Sequence, residues 1–430
     1  MTEPFRQLDV VKVLFEGRLV GAIANDPRSK LPVFEYETNW ARTGDDLAPL
    51  ELPRTAGPVA FPDLDRSSFR GLPGLVADSL PGAFADLLTN AWLARHGVQP
   101  GAITAVDRLG YVGSRGVGAL TFEPDLRDDG GPTPTVVDLG EAASAAHRAV
   151  NGSLLDSEAP DALEQLLDTS GSAGGARAKA AIALGPAGEV RSGQHDAPEG
   201  YSHWLLKFDV GRSRARANPT GLGRVEYAYA RMAVDAGIEM SECRLLQVDG
   251  LAHFLTRRFD RPGPATRLHV QSFAAMGHLP PEHVGAHSYE QLLQTCIRLG
   301  LTADERRQVF RRIVFNIAAV VRDDHTKNHA FLYEAGRWSL APAFDLTFAF
   351  DDDGGWLRNH QLTVNGSVHG APRGALLELA ERAKVSSAGR IIDEVVAAVG
   401  TWRDHATAAG VDEPLTQIVA TEIDATALAS

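Results

Sequence analysis

Val321-Arg322-Asp323-Asp324-His325-Thr326-Lys327-Asn328 follows directly on an apolar run from Ile313 to Val321. An aspartate stands five residues before an asparagine, with an arginine immediately ahead of the aspartate. Kinase catalytic loops use that arrangement to orient an acceptor hydroxyl and hold a metal ion. Seventeen residues further on, Asp345 lies in Pro342-Ala343-Phe344-Asp345-Leu346, where a second metal ligand is expected. A polar surface loop behind a helix would explain the polarity of the stretch but not its spacing. Asp323 is preferred over Asp324 as the working carboxylate because only Asp323 has the five-residue relation to Asn328. His325 is not in an HExxH setting that would make it part of a zinc site.

Working outward, Thr302 and Glu305 have the spacing of a capping box, a cap worth roughly 1 kcal/mol, and start the helix that runs into this stretch. Ala330 to Tyr333 and Trp338 to Ala341 read as a short hairpin that delivers Asp345 at its exit. Upstream, His203 to Phe208 is an apolar strand with Lys207 its one charged residue. A lysine there must find a partner, lose its proton more readily, or snorkel to the surface. Glu226, early in a helix from Gly223 to Ala236 that Gly237 closes, is the acid positioned to pair with it; a helix-dipole acid is the plainer alternative. Gly171 to Lys179 is a loop of small residues leading into a hairpin of Ala181–Leu184 and Glu189–Arg191, and small residues let backbone N–H groups approach an anion. Leu245–Val248 and Leu251–Thr256 pair across Asp249-Gly250, a strong hairpin signal. That strand leads into Arg257-Arg258-Phe259-Asp260-Arg261, readable as a nucleotide-base contact or as a salt-bridged strand exit.

Composition bounds the rest. The 430 residues are 44% hydrophobic, enough for two or three cores arranged as lobes, and exclude global disorder. A net charge of −13 argues against a surface that is throughout a nucleic-acid footprint. Cys243 and Cys296 have no paired spacing, so a reducing cytoplasm is expected and both are expected to be buried. No apolar run of membrane-spanning length and no leader pattern occurs, so a soluble protein without a membrane is expected.

At the N-terminal end, Val10–Phe15 and Leu19–Ile23 form a hairpin across Gly17, and Val33, Tyr36 and Trp40 lie in a third expected strand. Leu80 to Gly97 reads as an amphipathic helix with Phe84, Leu87, Leu88 and Trp92 on its apolar face. Gly110 to Phe122 reads as a glycine-bent strand rather than a phosphate loop, since no Lys-Ser/Thr pair follows. Pro124 to Thr135 is a linker by composition, Asp138 and Glu141 open a helix to Val150, and Pro160 to Leu167 opens another. Asp351 to Asp353 reads as a solvated loop. From Leu376 to Leu428 helices dominate.

These motifs resemble one family, the HipA-type serine/threonine kinases, toxins of type II toxin–antitoxin systems. Ser172-Ala173-Gly174-Gly175-Ala176-Arg177-Ala178-Lys179 is similar to their glycine loop and Arg258-Phe259-Asp260-Arg261 to their hinge motif. Asp323 to Asn328 is similar to their catalytic motif, and Phe344-Asp345 to their metal-binding acid. Val10 to Phe122, including Leu72 to Pro81, resembles their N-terminal β-rich part. The resemblance implies an α+β, bilobal, protein-kinase-like fold with a β-rich subdomain over 1–125, the rest of the N-lobe over 136–262, and an all-α C-terminal lobe over 263–430. It implies ATP and Mg²⁺ as cofactors, with Asp323, Lys207 and Asn328 catalytic and with Asn328 and Asp345 on the metal. The nucleotide would be held by residues 172–177, Lys179, Lys207, Glu226, Arg257, Phe259 and Phe344. It further implies phosphorylation of a protein hydroxyl, in the best-known case on an aminoacyl-tRNA synthetase, autophosphorylation of Ser172 as an off-switch, and a helix-turn-helix HipB-like antitoxin that carries operator DNA. Two features depart from pattern: the loop is not GxGxxG, and Arg257 stands where many relatives are expected to carry an acid. A nucleotide-sensing pseudokinase holding a DNA-bound repressor and a small-molecule phosphotransferase are the competing readings.

Overall fold

The computed structural model describes residues 7–95, 97–127, 136–150, 166–167, 169, 177–210, 220–349, 358–426 and 428. Three tight turns set the strand pairings. Glu16-Gly17, Asp249-Gly250 and Ala335-Gly336 each place two successive residues at positive φ, the conformation whose twist matches that of a two-residue hairpin. The first joins β1 (Val10–Phe15) to β2 (Arg18–Asn25). With β3 (Pro32–Tyr36), β4 (Pro58–Ala60) and β5 (Leu120–Glu123) they form an antiparallel sheet in the order β4-β3-β2-β1-β5. Alternation along β1 buries Val11 and Val13, which pack with Ile23 and Phe34.

A second antiparallel sheet contains β6 (Lys179–Leu184), β7 (Val190–Ser192), β8 (Ser202–Lys207), β9 (Cys243–Val248) and β10 (Leu251–Arg257), ordered β7-β6-β8-β10-β9. One face is covered by the helix Leu139–Val150, whose Ala142, Ala145 and Ala146 lie against Ile182, Trp204 and Leu206 in a separate core. Asp138 starts that helix by accepting from the backbone N–H groups of Gly140 and Glu141. The helix Leu222–Asp235 packs against β10 and β9 and carries Tyr229, whose hydroxyl donates to the Ala319 carbonyl.

The C-terminal part is built around the helix Ala303–Ala318, where Phe310 and Ile313 to Ala318 are all buried. Its capping box is complete: the Thr302 hydroxyl accepts from Glu305 N–H while the Glu305 carboxylate accepts from Thr302 N–H. This part was expected to be all-α. It is mostly helical but holds β11 (His269–Ser272), β12 (His287–Ser288), β13 (Ala330–Glu334), β14 (Arg337–Leu340) and β15 (Leu362–Thr363). β11, β13 and β14 form a three-stranded sheet, and β12 pairs with β15. β11 and β15 find their partners far along the chain, and no local signal announces that.

Other corrections have local causes. Gly110 does not begin a strand: it lies in the helix Ala105–Val112, started by a Thr104/Asp107 capping box, and only Leu120–Glu123 is extended. Trp40 belongs to the helix Thr38–Thr43, because the Glu37 side chain accepts from Trp40 N–H and caps it. The helix Ala83–Arg95 buries Phe84 and Leu88, but Leu87 is 46% exposed. Cys296 is buried and Cys243 only half so. Most of 160–167, 128–135 and 351–353 lie outside the described residues. Among the described residues, no helix is long and apolar enough to cross a membrane.

Candidate active site

The second sheet places Lys207 at the end of β8, opposite Lys179 on β6 and Phe254 on β10. Its side chain is 5% exposed, so its ammonium requires acceptors. Glu226, buried on the helix Leu222–Asp235, accepts from Nζ at 2.5 Å, and Asp345 accepts from the same nitrogen. Nζ also stands 5.8 Å over the Phe254 ring. Burial works against the charge on Lys207, but the Asp345 and Glu226 carboxylates outweigh it and hold its pKa above the ordinary lysine value. Lys179 goes the other way, to about 8, because burial removes water and Lys207 and Arg177 add like charge that Asp345 and Glu226 only partly offset. Burial would raise the Asp345 carboxyl, yet Lys207 and Lys179 bring it well below the usual carboxylate range. Asp345 keeps 31% of its side chain exposed and sits at φ 54°, a left-handed conformation that aspartate tolerates better than most residues.

The stretch 321–328 leaves its helix by an abrupt turn. Val321 N–H donates to Asn316 O at 2.8 Å, and Val320 takes φ 56°, a left-handed position usually held by glycine and a real outlier for a β-branched residue. The five-residue spacing then has a direct cause, because Asn328 Nδ2 donates to the Asp323 backbone carbonyl at 2.7 Å and ties the loop shut. Asp323 is left with its side chain 41% exposed and with His325 Nε2 3.8 Å from Oδ1. Asp324 is buried: Tyr289 Oη donates to it at 2.5 Å, the Gln361 backbone N–H at 2.7 Å, and His360 Nδ1 lies at 3.0 Å. Asn316 Nδ2 donates to the Tyr289 hydroxyl. Two adjacent aspartates thus divide the work: Asp324 anchors the loop and Asp323 faces the open side. The anchors Tyr289, Asn316, His360 and Gln361 form no pattern in the sequence.

The remaining expected site residues separate into groups. Phe259 and Phe344 meet with ring centroids 5.7 Å apart and planes tilted by 39°, both half-buried. Arg257 is turned outward, 44% exposed with Nη1 3.6 Å from Glu242 Oε2, and its backbone N–H donates to Glu242 O. Arg258, Asp260 and Arg261 form the salt-bridged strand exit, and it reaches the first sheet's domain: Gly118 N–H donates to Asp260, while Arg261 donates to the carbonyls of Gly118 and Gly116. Ser172, Ala173, Gly174, Gly175 and Ala176 lie outside the described residues. Arg177, the first described residue after them, donates to Glu226 Oε2 at 2.7 Å. Glu226 therefore receives the loop arginine on one oxygen and the strand lysine on the other.

For a divalent cation the donor set is sparse but of the right kind. Among the described residues no group of three or more His, Cys, Asp or Glu side chains is disposed to hold a metal. Asn328 commits its amide nitrogen to Asp323 and retains its oxygen, and Asp345 is an ionised carboxylate. Two oxygen donors completed by phosphate and water suit Mg²⁺, which binds few protein groups and keeps much of its hydration.

The HipA-like C-terminal domain model matches residues 171–402, and the HipA N-terminal domain model matches residues 11–123. Among solved structures, the chain is similar to HipA of the Shewanella oneidensis MR-1 toxin–antitoxin system, determined with HipB and operator DNA. The TM-score is 0.63 at 14% identity, covering 97% of this chain and 96% of that one, so the likeness is one of fold. The Helicobacter pylori proinflammatory kinase CtkA matches at a TM-score of 0.30 and 14% identity over 52% of this chain and 88% of its own. A search of curated proteins returned no match. With both domain models in sequence order and one of them spanning more than half of the residues, the chain belongs to the HipA family.

Proposed function

We propose that this protein is an ATP-dependent serine/threonine protein kinase that acts as the toxin of a type II toxin–antitoxin system. The observation that carries the reading is the pairing of two constellations. Lys207 is buried between Glu226 and Asp345, and Asn328 holds the Asp323 backbone while the Asp323 carboxylate stays 41% exposed. Phosphoryl transfer asks for positioning and charge neutralisation rather than covalent help from the protein, and these are the groups that supply them.

In this reading Lys207 binds the ATP phosphates, with Glu226 fixing its ammonium and Arg177 and Lys179 adding positive charge beside it. Phe259 and Phe344 flank the base. Asn328 and Asp345 would hold Mg²⁺, which would supply positive charge to offset that of the transferred phosphoryl group. Asp323 orients a serine or threonine hydroxyl and takes its proton as the oxygen bonds to the γ-phosphorus and the bond to the ADP oxygen breaks. Phosphorylating Ser172 would place about two negative charges in the loop that meets the ATP phosphates, which repels nucleotide and ends activity. The Shewanella relative was solved with HipB and operator DNA. A HipB-like antitoxin is accordingly the expected partner here, and the net charge of −13 suits DNA contact made mainly through it. The substrate is a protein, with an aminoacyl-tRNA synthetase or another translation factor the leading class.

The test is transfer of label from γ-labelled ATP in host extract. Label is expected on protein, and Lys207→Met is expected to lose most of it, since the phosphates lose their buried cation. Label appearing only on a small molecule, or transfer that is indifferent to Lys207, contradicts the proposal.

A further inference from the structure

The segment Leu72 to Pro81 resists explanation as part of a separate module, because it is built into the elements behind the catalytic stretch. Asp78 Oδ2 accepts from the Ser272 backbone N–H at 2.6 Å and Oδ1 from the Ser272 hydroxyl at 2.8 Å. That hydroxyl in turn accepts from Ala275 N–H and caps the short helix Phe273–Gly277. Gly74 packs so closely on the same helix that a Cβ there would run into the Ala275 carbonyl oxygen. Its N–H donates to His278 Nε2 at 2.9 Å, and burial keeps His278 neutral, with its pKa lowered to about 4, so that it can accept.

The far side of this helix holds the catalytic stretch. Phe273 N–H donates to His329 O at 2.7 Å, Ser272 pairs with Ala330 at the start of β13, and the Thr326 hydroxyl donates to Leu279 O at 2.9 Å. Lys327, inside the stretch, lies near enough to act on the Asp78 carboxylate. A continuous set of hydrogen bonds thus runs from Asp78 through Ser272 and the Phe273–Gly277 helix to residues 326–330.

We propose that Asp78, on the N-terminal part of the chain and outside the groups assigned to the nucleotide, is a positioning residue for phosphoryl transfer, fixing through Ser272 the turn on which the catalytic loop is held. The inference rests on the kinase reading for its functional consequence, though not for its structural one. Removing such a support displaces the loop rather than the nucleotide, and displacements of about 1 Å far from the chemistry cost about 10²-fold in rate.

Asp78→Asn in the full chain should therefore lower the turnover of phosphate transfer by about 10²-fold while leaving KM for ATP nearly unchanged. Amide hydrogen exchange without nucleotide should show lost protection in peptides covering 326–330. Asp26→Ala is the control. Asp26 accepts from Arg28 N–H and Ser29 N–H in the turn between β2 and β3, so its loss weakens the N-terminal part of the chain that also carries Asp78, without touching Ser272. Ser272→Ala, which removes only the hydroxyl, should fall between wild type and Asp78→Asn in both measurements and serves if Asp78→Asn does not fold. Equal turnover and equal exchange over 326–330 in Asp78→Asn and Asp26→Ala, or an unaltered Ser272→Ala, would overturn the proposal. A wild type that transfers no phosphate yet shows Asp78-dependent protection would refute the kinase reading and leave the structural coupling standing.

Discussion

Asp323→Asn is expected to lower phosphate transfer by about 10²- to 10⁴-fold, the usual worth of a positioned proton acceptor, with little change in folding or ATP binding. The side chain is 41% exposed, with His325 Nε2 3.8 Å from Oδ1, so an amide is accommodated at a partly solvated position. Asp324→Asn should behave in the opposite way. Its oxygens serve Tyr289, His360 and the Gln361 N–H in a fully buried setting, and an amide there must present two hydrogens where acceptors are needed. A loss of about 1–3 kcal/mol of stability is expected, with a smaller effect on rate in the folded protein than Asp323→Asn produces. Initial rates together with urea unfolding separate the two variants. If the rate ordering is reversed, the carboxylates have been assigned the wrong way round.

Asp260→Asn should be the most destabilising single change to the charged framework, by about 3–5 kcal/mol, because it strands the buried guanidinium of Arg261 and the half-buried Arg258 beside it. It also removes an acceptor for Gly118 N–H and so loosens the tie to the first sheet's domain. The pH dependence has a definite sign. Burial would raise the Asp260 carboxyl, but Arg258 and Arg261 outweigh it and hold the folded-state pKa well below the ordinary value near 4. The stabilisation is whole above about pH 4 and drains away as the pH falls from there toward the folded-state value. Unfolding free energy measured between about pH 2 and pH 5 should accordingly fall more steeply in wild type than in Asp260→Asn. Parallel curves would mean that the pair contributes nothing through ionisation.

Much of the fold was legible where chemistry is local. Asp249-Gly250 and Glu16-Gly17 announced their hairpins because few residue pairs accept two positive φ values, and Thr302 with Glu305 announced the central helix because the two side chains satisfy each other's backbone. The errors also have local causes: glycines around Gly110 drew attention away from the Thr104/Asp107 cap, and Glu37 turned an apparent strand at Trp40 into a helix. In the site, the pairing of Lys207 with Glu226 was legible because a lone lysine in an apolar strand demands an acid, whereas the contact of Lys207 with Asp345, read as a metal ligand, was not. Sequence could not show that Lys179 stands opposite Lys207, since strand register decides it, nor that the Arg257 side chain turns outward. The anchoring of Asp324 by Tyr289, His360 and Gln361, and of Ser272 by Asp78, depends on pairings between distant segments that carry no periodic signal.

The most direct test of the central claim is intact-mass measurement with phosphosite mapping after the purified protein is incubated with ATP and Mg²⁺. One added phosphate on Ser172 in wild type, absent from Ser172→Ala and from Asp323→Asn, is the predicted result. Wild type that binds ATP but stays unmodified while an added host extract gains no phosphoprotein, or an Asp323→Asn variant modified as fast as wild type, would contradict it.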